Sequence, residues 1–182
     1  VLSFYPNHPD DFGGSKGMAS AVSSDGGMTW TKGRDNWPMS EMISMWPERR
    51  RNGDLLAFGI KWLPDPRKRR EITLPDVPDD AYWIAISSDR GQTWKTERVG
   101  IECPSEIGVI ARPLPHIIEH ENGLLLMPAY TWSKRGNKVV LLQSNDGGRV
   151  WQVRSVITTA VAMIQAGARV STPWLESTVS PT

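Results

Sequence analysis

Carboxylates are the first side chains in this sequence to suggest chemistry. Three of them, Asp25, Asp89 and Asp146, occupy the same place in a repeated octapeptide: SSDGGMTW at 23–30, SSDRGQTW at 87–94 and SNDGGRVW at 144–151. Asp10 and Asp11 stand side by side in NHPDDFGGSKG, close to His8, and Glu176 lies in WLESTVSPT. A carboxyl group held at the right pKa can do general acid or base work, provided the fold brings it to the reacting atoms. Metal chemistry has little to draw on. His8, His116 and His120 are scattered and do not form a ligand cluster, and Cys103 is alone, so no disulfide forms within the chain. Neither a metal nor a cofactor is expected.

Which acids can meet depends on the elements that carry them. The octapeptides follow Ser-x-Asp-x-Gly-x-Thr-Trp throughout, except that Val150 replaces Thr in the third, and their first residues lie 64 and 57 positions apart. A second signature alternates with them: NGDLLAFGIKW at 52–62 matches NGLLLMPAYTW at 122–132, and the opening VLSF aligns with LLAF at 55–58. AYWIAISS (81–88) and KVVLLQS (138–144) are short and rich in β-branched or aromatic residues, which marks strands. Asn-Gly at 52–53 and 122–123 marks hairpins, because both residues tolerate positive φ. In the octapeptide, Ser and Asp oxygens can accept from turn N–H groups while Gly takes the strained torsion. The Trp that follows is large enough to fill a gap between sheets. No 3.6-residue period persists, which argues against a helical solenoid.

Each repeat therefore reads as four strands. In the second repeat they are expected near 43–51, 54–62, 81–88 and 93–99; in the third, near 112–121, 124–132, 137–144 and 150–157. Four-stranded antiparallel sheets repeated at this length predict an all-β chain, a β-propeller. One domain is expected over 1–182: a partial first blade at 1–36, a second at about 43–100, a third at about 108–157, and the start of a fourth at about 174–182. Two complete and two partial blades would leave open edges. The ring is then completed either by a longer chain or by self-association of short ones.

Strand alternation also assigns faces. The octapeptides are turns between the third and fourth strands, so all three fall on the end away from the loops between the second and third. That makes Asp25, Asp89 and Asp146 turn-formers rather than catalysts. A site at the mouth of a central channel is expected from 5–17, 32–42, 63–80, 100–111, 133–136 and 158–176. Asp10, Asp11 and Glu176 are in those segments. Trp37, Trp46, Trp132 and Trp174 lie in or near them and either stack on sugar rings or pack between blades. Arg112, near the start of an inner strand, either touches a sugar or makes a surface pair. The loop 63–80 is long and rich in proline, and either overhangs the site or is a disordered excursion.

Bulk properties narrow the partners. Nine Trp against three Phe and three Tyr suit aromatic wedges between β units or a carbohydrate-binding surface. A net charge of +1 provides no field to recruit nucleic acid or an anionic membrane, and the basic runs at 49–51 and 67–70 read as local, solvated loops. No apolar stretch approaches the roughly 20 residues that span a bilayer. The compartment is left unassigned.

With the octapeptides, NGLLLMPAY (122–130) and LESTV (175–179) in this order, the whole chain resembles the first half of a sialidase (neuraminidase) superfamily domain, in which the octapeptide is the Asp box or bacterial neuraminidase repeat. The resemblance implies a six-bladed parent propeller that hydrolyses terminal sialic acid, or a related sugar, from glycoconjugates with retention. It implies that Asp10 or Asp11 is the general acid/base and that Glu176 is the base for a tyrosine nucleophile. Arg112, Trp132 and Trp46 are the candidate substrate-binding residues. The family's Tyr and its three-arginine carboxylate clamp have no match here, so the chain by itself is expected to be inactive. A non-catalytic carbohydrate-binding propeller and an oligomeric scaffold are the alternatives.

Overall fold

Strands form here where alternating side chains let one sheet face leave water. The computed structural model describes residues 2–6, 18–33, 42, 44–62, 71–114 and 116–159. Within them the chain is all-β, with three sheets, one 3-10 turn at Leu74–Asp76 and no α-helix. No helix among the described residues is long and apolar enough to cross a membrane.

The first sheet runs β1 (Leu2–Pro6), β2 (Met18–Val22), β3 (Thr31–Lys32), each antiparallel to the next. The second is a four-stranded meander of β4 (Ser44–Arg49), β5 (Leu55–Ile60), β6 (Tyr82–Ser87) and β7 (Lys95–Arg98). All its pairings are antiparallel, with Trp46 opposite Phe58 and Phe58 opposite Ile84. These strands sit inside the four ranges expected from the sequence. The turn at 50–54 and the octapeptide at 87–94 therefore share one end of this sheet, and the long β5–β6 connection lies at the other.

The third sheet departs from the four-strand expectation. It contains β8 (Gly100–Glu102), β9 (Val109–Pro113), β10 (Ile118–Glu119), β11 (Leu125–Trp132), β12 (Lys138–Ser144) and β13 (Val150–Thr159). The strand expected at 112–121 starts earlier and is split, β9 pairing with the second half of β11 and β10 with its first two residues. Pro113 supplies no N–H to a ladder, and His116 takes φ 87, which turns the chain. Residues 100–102, expected as connection, instead form a parallel edge strand on β13. Gly100 N–H donates to Arg149 O at 2.9 Å, Arg149 reaches Glu97 at 2.7 Å, and Gln152 donates to Glu102 at 2.7 Å. This polar seam joins the end of the second sheet to the outer strand of the third.

The core lies between those two sheets. Leu56, Phe58, Ile60, Tyr82 and Ile84 from the second meet Leu125, Met127, Ala129, Val140, Leu142 and Trp151 from the third. The Tyr82 hydroxyl donates to Ile110 O at 2.5 Å, so the one polar atom of that ring is satisfied within the core, and burial pushes its phenol well above the ordinary range. On the other side of β11, Leu126, Pro128, Tyr130 and Trp132 alternate with the core residues and are half-buried.

Candidate functional site

The three octapeptides fold into turns with nearly the same hydrogen bonds. In the first, Ser23 Oγ donates to Asp25 Oδ1 (2.8 Å) and accepts from Gly27 N–H (2.8 Å). Asp25 Oδ1 also accepts from the N–H groups of Met28 (3.0 Å) and Thr29 (2.9 Å), while Oδ2 accepts from Thr29 Oγ1 (2.5 Å). Asp89 repeats the Thr bonds with Thr93 at 2.8 and 2.5 Å, and Ser87 repeats the serine pattern. Asp146 takes Ser144, Arg149 N–H and Val150 N–H, but Val150 has no hydroxyl for its second oxygen. Each Trp N–H closes its turn on the Gly carbonyl three residues back, at 2.8 to 3.1 Å.

Such bonding stabilises the charged form of each acid. Thr29, through hydroxyl and N–H, holds Asp25 far below the usual carboxylate range. Thr93 does the same for Asp89, lowering it to about 2. For Asp146 burial opposes the charge, yet the bonds from Val150, Ser144 and Arg149 outweigh it and the pKa is again lowered. A carboxylate with its acceptors occupied and its proton lost at low pH is a poor general acid near neutrality. These three acids hold turns.

The opposite end of the strands is where loops converge. Ile72–Pro75 from the β5–β6 connection, Ser105, Glu106 and Gly108 before β9, and Ser133–Arg135 between β11 and β12 line a cavity of about 370 Å³. All three stretches belong to segments expected on the site face. Gly108 allows them to approach: it has φ +99, and a Cβ there would sit 2.1 Å from Trp132 O. The 3-10 turn is held by Asp76, whose carboxylate accepts from both the N–H and the hydroxyl of Thr73 at 2.7 Å. Across the cavity, Ser133 Oγ accepts from Arg135 N–H at 3.2 Å and fixes that turn. Lys134 and Arg135 were not singled out in the sequence. Only their position in a short loop on this face distinguishes them.

Asp10, Asp11 and Glu176 lie outside the described residues, as do Trp37 and Trp174. Arg112 is exposed on β9 opposite Tyr130, and its side chain makes no hydrogen bond or ion pair among the described residues. Trp132 is half-buried at the end of β11 opposite Val109, on the alternate to the core face. Arg112 and Trp132 thus belong to neighbouring strands of the third sheet. Trp46 stands in β4 of the second, and only its backbone register is described. Cys103 donates to Gly108 O at 3.1 Å, and burial pushes its thiol up to about 11, so it is not a ready nucleophile. No group of three metal-ligating side chains occurs among the described residues.

No protein-family model and no curated protein sequence matches the chain. Solved structures do. A Dyadobacter fermentans protein of unknown function superposes with a TM-score of 0.55 at 17% identity, over 78% of this chain and 44% of its own. A Hadza microbial sialidase superposes with a TM-score of 0.54 at 16% identity, over 79% of this chain and 32% of its own. The fold is sialidase-like. The chain spans less than half the length of either neighbour.

Proposed function

We propose that this chain is part of a sialidase-like exo-glycosidase that releases terminal sialic acid, or a related sugar, from glycoconjugates with retention. The observation that carries the reading is one turn chemistry repeated in three consecutive sheets, two of which bury a common core. Adjacent propeller blades pack in that way, with the octapeptides as Asp boxes, and the Hadza microbial sialidase supplies the fold-level counterpart. In this reading the blades are about 1–36, 43–100, 108–157 and the beginning of a fourth at 174–182.

Asp10 or Asp11 protonates the departing glycosidic oxygen, and the ionised carboxylate then takes a proton from the incoming water. Glu176 accepts the phenolic proton of a tyrosine whose oxygen bonds to the anomeric carbon; water later breaks that bond. A neutral phenol with a pKa near ~10 needs such a base. Arg112, Trp132 and Trp46 contact the glycan. The activity belongs to the whole protein, which supplies the tyrosine and the arginine clamp.

Turnover of a fluorogenic sialoside by the full-length protein tests the reading. Glu176→Gln and either Asp10→Asn or Asp11→Asn should each lower kcat by about 10²–10⁴-fold. A folded protein that binds glycans but turns over no sialoside would instead be a carbohydrate-binding propeller.

A further inference from the structure

We propose that the cavity between the 3-10 turn and the β11–β12 turn is a subsite for an acidic sugar unit, a pyranose carrying a carboxylate or a sulfate ester. The proposal rests on the glycan-directed reading above and assigns that reading a second contact with its substrate. None of the cavity's residues is among the acids given to the reaction.

The shape suits one or two sugar rings. At about 370 Å³ the cavity falls at the small end of ligand sites, which begin near ~300 Å³. One wall is apolar, with Leu74 and Pro75 presented by a turn that the Asp76–Thr73 bonds make rigid. Leu74 is 37% exposed and offers a surface for the C–H face of a pyranose. Ser105 supplies a hydroxyl at the rim.

The opposite wall selects charge. Lys134 and Arg135 are adjacent and exposed, and neither side chain has a hydrogen bond or ion pair among the described residues. Their turn is pinned by Ser133, so its backbone is already ordered when a ligand arrives and only the two side chains remain to be fixed. The lining carries these two cations against one carboxylate, Glu106. Asp76, just outside the lining, stays ionised under its Thr73 bonds and feels the charge of Lys134, so Arg135 is the less compensated of the two cations. A guanidinium beside an ammonium suits a carboxylate or a sulfate through charge-assisted bonds.

Calorimetric titration of the intact protein with lactose 6-sulfate, a glucuronyl disaccharide, lactose and inorganic sulfate tests the assignment. At least one acidic disaccharide should bind at least about tenfold tighter than lactose and than sulfate. Lys134→Gln combined with Arg135→Gln should remove that advantage, while Arg154→Gln on β13 should preserve it; circular dichroism checks that both variants fold. Sulfate and carboxylate arms tell which anion the site prefers. Equal affinity for lactose, undiminished binding by the double variant, or sulfate binding as tightly as either acidic sugar would each overturn the proposal. Sialoside turnover is measured alongside. Turnover without binding that depends on Lys134 and Arg135 overturns the subsite alone; such binding without turnover supports the subsite and removes the glycosidase reading.

Discussion

The indole of Trp151 meets the ring of Phe58 edge-on, with centroids 6.0 Å apart and planes at 85°. Phe58 comes from β5 of the second sheet, whereas Trp151 is the last residue of the third octapeptide and the second of β13. Trp151 is thus a wedge that fastens the third sheet to the second, and the repeated Trp is not equally buried in each octapeptide. Trp151 is 0% exposed, whereas Trp30, at the same octapeptide position, is 45% exposed.

Stability should follow this gradient. Trp151→Ala removes a fully buried ring and should cost about 3–5 kcal/mol. Trp30→Ala should cost less than about 1 kcal/mol in the same chain, and Trp94→Ala should fall between them. Urea unfolding of the three variants checks the order; a Trp30 variant as damaging as Trp151 would contradict it.

A second fastening is electrostatic. Glu119 of β10 accepts from Arg50 Nη2 at 2.9 Å and from Arg51 N–H at 2.7 Å, clamping the turn between β4 and β5. The Arg51 N–H and the Arg50 guanidinium hold its carboxyl below the usual range against the opposing effect of burial. Arg50 Nε is already buried without a partner, so loss of Glu119 leaves more of the guanidinium unsatisfied. Glu119→Ala should cost about 1–2 kcal/mol in chemical denaturation. Glu97→Ala, which breaks a more exposed pair with Arg149, should change stability little.

Acid should loosen the octapeptide turns in a defined window. Asp89 falls from its ordinary 3.8 to about 2, and Asp25 and Asp146 are lowered as well. A carboxylate with a depressed folded pKa stabilises the fold above its unfolded value and stops doing so as pH drops through the folded one. Denaturation midpoints should therefore be flat from neutrality to about pH 5 and decline between about pH 4 and 2. Asp89→Ala should lower the midpoint at pH 7 and reduce the steepness of that decline. If Asp25→Ala, Asp89→Ala or Asp146→Ala abolished sialoside turnover by a folded full-length protein, the structural role given to these acids would be wrong.

Gly108 is the residue on which the cavity's shape depends most. A Cβ there would lie 2.1 Å from Trp132 O and 2.7 Å from Ser133 Cβ, on a backbone already at φ +99. Gly108→Ala should cost upward of about 2 kcal/mol and should abolish acidic-sugar binding. Thermal unfolding and the titrations described above read the two effects separately.

Much of the local structure was determined by residue order alone. Apolar alternation, Asn-Gly turns and the Ser-Asp-Gly-Trp spacing placed β4 to β7 and β11 to β13, because each of those signals acts within a few residues. The turn role of Asp25, Asp89 and Asp146 was equally legible, since every partner of each carboxylate lies within four residues of it. Tertiary structure decided what depends on distant partners. The parallel strand at Gly100–Glu102 pairs with an edge that Arg149 O and Val150–Gln152, about fifty positions later, offer it. The cavity joins residues near 73, 106 and 134 that share no local pattern. Lys134 and Arg135 look in sequence like any two solvated cations. Their place beside a cleft that Leu74 and Pro75 also line comes from long-range packing, which has brought three loops together.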